Sequence, residues 1–223
     1  MQRVVQITKD GSQTISIPEM NVTYHSIHGA IQESRHVFIE AGLNYLLRSG
    51  NADLKIFEVG FGTGLNALLT LQQAMHLKQQ VSYYAIDPFP LEREIALTLE
   101  YPARIDPSLL SLYCLLHEVE WEKEENLNQF FTIHKARRSL LEFKTEEKFH
   151  LIYFDAFAPS AQSELWTEAV FRKMFDILLP NGVLVTYCSK GDVRRAMVSA
   201  GFFVEKLQGP PGKREMLRAS KKV

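Results

Sequence analysis

Three carboxylates stand where strand-like stretches run out: Glu58 in KIFEVG, Asp87 in VSYYAID and Asp155 in HLIYFD. Between the first two lies Glu58-Val59-Gly60-Phe61-Gly62-Thr63-Gly64-Leu65-Asn66. Glycines at 60, 62 and 64 carry no Cβ, so the backbone there can come close to a ligand. A helix-like segment follows, and its first turn offers N–H groups with no partner inside the helix. Asp87 comes 23 residues after Gly64, where a carboxylate can accept hydrogen bonds from both hydroxyls of a ribose. An Asp ahead of Pro88 also suits a plain turn. Asp155 has a different task open to it. An amine of pKa about 9–10 is mostly protonated at neutral pH and is no nucleophile in that form. A carboxylate at the sheet edge can hold the ammonium and take or relay its proton. Phe157 and Pro159, just downstream, can wall such a site, although Asp155 could also simply cap the following helix.

The spacing of the glycines selects the ligand. A dinucleotide loop reads G-x-G-x-x-G. Counted from Gly60, its third glycine falls on Leu65; counted from Gly62, it falls on Ala67. An S-adenosylmethionine loop reads E/D-x-G-x-G-x-G, and Glu58 through Gly64 fits every position. That ligand has no pyrophosphate. It carries a sulfonium and an ammonium, so an acid beside the loop helps. The expected cofactor is therefore S-adenosylmethionine, held by Glu58, Gly60, Phe61, Gly62, Thr63, Gly64, Asn66, Asp87 and Asp155, with Asp155 also catalytic. A bare strand-to-helix turn is the plainer alternative.

These residues need a sheet to bring them together. Strand-like stretches at 55–60, 81–87, 130–135, 150–155 and 183–188 alternate with helix-like ones at 65–77, 91–100, 107–117, 164–179 and 192–200, and Ser139–Phe143 starts another helix. Such alternation predicts an α/β fold with a parallel, doubly wound sheet. The last two strands, FFVEKL and REMLRAS, are joined by too few residues for a parallel crossover and must pair antiparallel. The expectation is a Rossmann-like methyltransferase fold: a mostly parallel seven-stranded sheet ending in an antiparallel hairpin. RVVQIT and TISI, around the turn Lys9-Asp10-Gly11-Ser12, add a small N-terminal β extension. A helix over Ala30–Arg48 is closed by Gly50-Asn51. Residues 1–50 are expected to pack on a methyltransferase domain at 51–223.

Composition narrows the class further. The chain is 46% hydrophobic and 23% charged with a net charge of −1, so no global field calls for nucleic acid. From Lys190 onward, however, basic residues outnumber acidic ones by six, a bias suited to a polyanion. Cys114 and Cys188 stand far apart with no Cys/His cluster, which predicts no metal site. No apolar run reaches the roughly 18 residues of a membrane span, and the N-terminal residues lack a signal core, so a cytoplasmic, non-membrane protein is expected.

The end of the fourth parallel strand, Asp155-Ala156-Phe157-Ala158-Pro159, is similar to the D/N-P-P-aromatic end found in many amino-group methyltransferases, with altered spacing. Further stretches point the same way: Glu33-Ser34-Arg35-His36-Val37-Phe38, the 58–66 loop, Leu165-Trp166-Thr167, Val193-Arg194-Arg195 and Gly212-Lys213-Arg214-Glu215-Met216-Leu217. Together they resemble, over almost the whole chain, the methyltransferase domain of the MnmC family. The resemblance implies methylation of the aminomethyl group on a wobble uridine of tRNA, with S-adenosylmethionine as donor. It places the family's D-A-F-A-P aspartate on Asp155. Phe157, Pro159, Arg194, Arg195, Lys213 and Arg214 would then meet the substrate, the cations on phosphates of the anticodon region. Larger members carry an FAD-dependent oxidase domain, which this chain has no room for, so a stand-alone methyltransferase is expected. One departure stands out: His134-Lys135-Ala136-Arg137-Arg138 has no acid where many relatives place one near the adenine. Trp166 could stack a flipped base, though a tryptophan on an amphipathic stretch is more often core. Methyl or aminopropyl transfer to a small amine, and a nucleotide-binding module without activity, are the alternatives.

Overall fold

The computed structural model describes residues 2–48 and 53–222. The expected helix stop at Gly50-Asn51, and with it the boundary at 50/51, lies outside the described residues. Strands β1 (Val4–Ile7), β2 (Gln13–Ile17) and β3 (Val22–Thr23) form a small antiparallel sheet. Helix α1 (residues 30–47) follows, with wide π-type turns over Arg35–Asn44. The main body then alternates: β4 (Asp53–Val59), α2 (Leu65–Leu77), β5 (Gln80–Ile86), α3 (Arg93–Leu97), α4 (Tyr101–Ile105), α5 (Leu110–Glu118), β6 (Glu124–Asn128), β7 (Phe131–Ala136), β8 (Phe149–Phe154), α6 (Glu168–Ile177), β9 (Leu178–Thr186), α7 (Gly191–Ser199), β10 (Phe203–Gln208) and β11 (Glu215–Ser220).

Among the described residues the main sheet has eight strands, in the order β10-β11-β9-β8-β4-β5-β7-β6. β7, β5, β4, β8 and β9 run parallel, and β10 and β11 close one side as the expected antiparallel hairpin. The Rossmann-like methyltransferase architecture is borne out. The eighth strand is β6, antiparallel on the far edge. Its sequence, EENLN, has one buried residue and no apolar alternation, so nothing in its pattern marks it as a strand.

The parallel strands are buried on both faces because helices cover both. Along β8, Leu151 and Tyr153 point to the α1/α2/α5 side, Ile152 and Phe154 to the α6/α7 side. α1 comes close to the sheet at Gly42, where a Cβ would sit 3.0 Å from Val185 Cγ2. On the other face Phe171, Met174 and Met197 are fully buried. Trp166 is 6% exposed and packs edge-on to Phe154, so it belongs to this core and does not stack a base.

Three local expectations need correction. Ser139–Phe143 makes one hydrogen-bonded turn, not a helix. α6 ends at Ile177, short of Pro180. Pro180-Asn181-Gly182 interrupts β9 as a bulge, with Asn181 at φ 63°, and does not separate a helix from a strand. A stop signal reads the same in either setting; only pairing with β8 distinguishes them.

Candidate active site

Strand register sets the site. Gly60 N–H donates to Ile86 O (2.9 Å), Asp87 N–H to Ala136 O (3.1 Å) and Asp155 N–H to Val59 O (3.1 Å). Gly60, Asp87 and Asp155 therefore stand in a row, each one position past its strand, at the C-terminal lip where parallel sheets bind ligands. A cleft of about 510 Å³ opens above them. Gly60, Phe61, Gly62 and Thr63 form its floor, and Asn66, Asp87, Asp155 and Phe157 its sides.

Gly60 and Gly62 line the cleft with positive φ angles. Gly60 has φ 90°, and a Cβ there would lie 2.9 Å from the Asp155 carbonyl oxygen. Gly62 has φ 50° and donates its N–H to Asp87 Oδ2 at 3.0 Å. The loop is braced from below by α5: Thr63 O accepts from Tyr113 OH (3.1 Å) and contacts His117 Nε2 (3.2 Å). Lys135 is buried without an acid partner. Its ammonium donates to Leu116 O (2.7 Å) and faces the rings of Phe61 and Trp121, and burial lowers its pKa to about 8. Gly64 is packed under His117 and does not line the cleft.

The carboxylates separate by depth. Asp87 also accepts from Phe89 N–H (2.9 Å); burial raises its pKa, against the two backbone donors and Arg3. Glu58 is fully buried beneath the floor, so the expectation that it faces the cofactor is corrected: it acts through Asn66. The Asn66 side-chain amide donates to Glu58 Oε1 (3.0 Å) and to Asp155 Oδ2 (2.8 Å). Sequence alternation explains the placement, since Glu58 points to the same face as Ile56 and α2, not along the strand to its end. Burial favours the protonated form of Glu58 and drives its pKa well up, opposed by the hydrogen bond donated by the Asn66 amide, which favours the carboxylate. Asp155 is pushed up to about 7, by burial first and then by the Glu33 carboxylate, while the Asn66 amide and the Lys213 cation oppose the rise.

The segment after Asp155 is held at nearly every backbone group. Ala156 O accepts from Tyr187 OH (2.8 Å), Phe157 N–H donates to Gln162 Oε1 (2.9 Å), and Phe157 O accepts from Trp166 Nε1 (2.8 Å). Tyr24 meets the Phe157 ring edge-on at 5.2 Å. Pro159 follows but does not line the cleft.

A family profile described as S-adenosyl-L-methionine-dependent methyltransferase matches residues 110–222, about half of the chain. The chain belongs to that family. Its cofactor is S-adenosyl-L-methionine. The methyltransferase is also 30% identical, over 92% of its length, to the tRNA 5-methylaminomethyl-2-thiouridine biosynthesis bifunctional protein MnmC of Burkholderia mallei, which bears out the resemblance seen in the sequence. It spans about a third of that protein (33%). MNMC2 from Aquifex aeolicus has the same fold, with a TM-score of 0.82 at 24% identity over the whole of this chain and 71% of its own. Spermidine synthase from Thermotoga maritima shares the fold more loosely, with a TM-score of 0.57 at 15% identity over 99% of this chain and 69% of its own.

The residues of the methyltransferase fit the cofactor. The side-chain oxygen Asn66 Oδ1 is buried at the loop without a hydrogen-bond partner among the described residues, as an acceptor awaiting a ligand would be. Asp87 keeps lone pairs for ribose hydroxyls beyond its two backbone donors. Leu140, with Ser139 and Leu141, lines the cleft just past β7 and supplies an apolar wall where the sequence offered no acid. Sequence reasoning missed the opposite wall entirely. Arg3, Ile17, Met20, Tyr24 and His25 of the N-terminal extension lie over the cleft, and no motif or spacing marks them.

The cations named for substrate contact do not act alike. Lys213 is engaged internally, in an ion pair with Glu33, whose side chain is only 6% exposed. Arg195 pairs with Asp192 on the surface of α7. Arg194 and Arg214 are exposed. Among the described residues no group of three or more His, Cys, Asp and Glu side chains is placed to hold a metal ion, and no helix is long and apolar enough to cross a membrane.

Proposed function

We propose that this methyltransferase methylates the aminomethyl group on a wobble uridine of tRNA, with Asp155 receiving the amine. The carrying observation is a carboxylate at the lip, beside Gly60, with an unusual appetite for a proton, in a segment fixed before any substrate arrives. Bound on the glycine loop, S-adenosyl-L-methionine supplies an electrophilic methyl group. Asp155 holds the incoming ammonium by a charge-assisted hydrogen bond and takes one proton from it. The freed nitrogen lone pair would then be able to accept the methyl group, and the proton stays on Asp155 until water removes it. The Phe157 ring, with Tyr24 packed edge-on against it, gives the cleft an aromatic wall for a base. Arg194 and Arg214 are exposed, Arg214 in the β10–β11 loop and Arg194 on α7, and can meet phosphates. Supporting the choice of tRNA is the likeness to MnmC proteins, named for tRNA 5-methylaminomethyl-2-thiouridine biosynthesis.

Labelled cofactor with tRNA from cells lacking this step tests the reading. Label on the wobble nucleoside is expected. Label only on a free polyamine, with none on tRNA, would instead assign transfer to a small amine. Because Asp155 must be ionised to hold the ammonium, kcat/KM should rise with pH through about 7.

A further inference from the structure

Behind Asp155 lies a group of side chains that the mechanism does not use. Glu33 of α1 is buried and paired with Lys213 of the β10–β11 loop, 180 positions away in sequence. Glu33 Oε2 also accepts from Ser26 N–H at 2.7 Å. The Lys213 ammonium lies over the face of Tyr187, 3.9 Å from its centroid. Tyr187 in turn donates its hydroxyl to Ala156 O, the carbonyl next to Asp155. The loop that carries Lys213 is seated tightly. His28 packs against Gly212, which has no room for a Cβ, and His36 Nε2 contacts Gln208 O at 2.8 Å.

A buried ion pair is weak evidence for stability, since desolvation offsets the attraction. Here it sits where its charges act on one particular carboxylate. We propose that Glu33 and Lys213 are positioning residues for the methyl transfer: through Tyr187 they fix the Asp155–Ala156 corner, beside the carboxylate that the incoming amine meets. The inference rests on the reading that Asp155 receives the amine.

The other groups around Asp155 can be assigned. Asn66 on α2 donates to it, and Glu58 on β4 lies beyond that amide. Tyr83 on β5 and Tyr187 after β9 both feel the Asp155 charge and are raised by burial, so they stay neutral near pH 7. Cys188 is raised by burial as well. His25 lines the cleft near Glu33 and Lys213, and burial holds it at about 4, so it is neutral across the working range. Among the described residues, Glu33 is the charged side chain that raises the Asp155 pKa and Lys213 the cation that lowers it. Loss of Lys213 must strengthen the hold of Asp155 on its proton, and loss of the Glu33 charge must weaken it.

The test is a titration of the Asp155 carboxyl by carbon-13 NMR in the free enzyme, assigned with Asp155→Asn, beside kcat/KM profiles on tRNA. In Lys213→Met the Asp155 titration and the acid limb of the profile are expected to move up by roughly half to one pH unit, and in Glu33→Gln to move down by a similar amount. Lys213→Arg should restore the original position. Affinity for S-adenosylhomocysteine and thermal midpoints, measured alongside, report whether each variant is folded. Both limbs unmoved in folded variants, or both moved in the same direction, would overturn the proposal. If Lys213→Met does not fold, Glu33→Gln and Tyr187→Phe decide it; Tyr187→Phe should lower kcat while leaving the titration in place. An acid limb that survives in Asp155→Asn would instead sink the underlying reading, because the limb would then belong to another group.

Discussion

Asp87 and Asp155 stand at equivalent positions, one residue past neighbouring parallel strands, but the protein holds them by different means. Asp87 accepts two backbone N–H groups, from Gly62 in the adjacent glycine loop and from Phe89 in its own loop. Asp155 receives a side-chain amide from α2 and feels charges from α1 and from the β10–β11 loop. Asp87 is thus held by backbone from two adjacent loops, and Asp155 by side chains gathered from more distant segments. Backbone donors favour the carboxylate form of Asp87 against its burial, which suits a ribose. Buried side chains leave Asp155 balanced between two protonation states, which suits an amine that must lose a proton.

Substitutions can break this contrast in graded steps. The largest effect is expected for Asp155→Asn: turnover should fall by about 100-fold or more, while affinity for S-adenosylhomocysteine by calorimetry changes by less than about 3-fold, the span of a weak contact. Equal losses in both would put Asp155 in cofactor binding alone and erase the contrast. Gly60→Ala comes next. Its Cβ would press on the Asp155 carbonyl at a positive φ, so both the loop and the Asp155 segment should suffer, with stability down by about 1–3 kcal/mol and cofactor affinity down at least 10-fold. A variant with wild-type melting and affinity would mean that the loop and the Asp155 segment are not coupled. Asp87→Asn should raise the cofactor dissociation constant by about 10-fold with kcat at saturation little changed; a fall in kcat alone would contradict the division of labour. The smallest change is expected for Arg214→Ala, a weaker KM for tRNA with a salt dependence shallower by about one counterion, cofactor affinity being untouched.

The contrast also explains what could be read early. The glycine loop, Asp87 and the alternation of strands and helices are local patterns, and local patterns are what a sequence displays. Asp155 was legible because it ends an apolar strand ahead of Ala-Phe-Ala-Pro. The depth of Glu58 was not, because a strand residue two places earlier looks much like one at the end until the facing helix is known. Lys213 looked like a phosphate contact for the same reason: its partner Glu33 is 180 positions away, and no spacing rule links them. β6 escaped notice because an exposed edge strand needs no apolar period.

By itself, the sequence determined the alternation of the parallel strands with helices, the antiparallel close of the sheet and a glycine loop shaped for a sulfonium donor, since steric freedom and hydrophobic period act between near neighbours. Only the tertiary structure decided which carboxylate lies in the cleft and which beneath it, which cation is paired internally, and that the N-terminal strands roof the site. Those outcomes depend on burial and on charges brought together across the chain, and free energies of that kind exist only once the chain has folded.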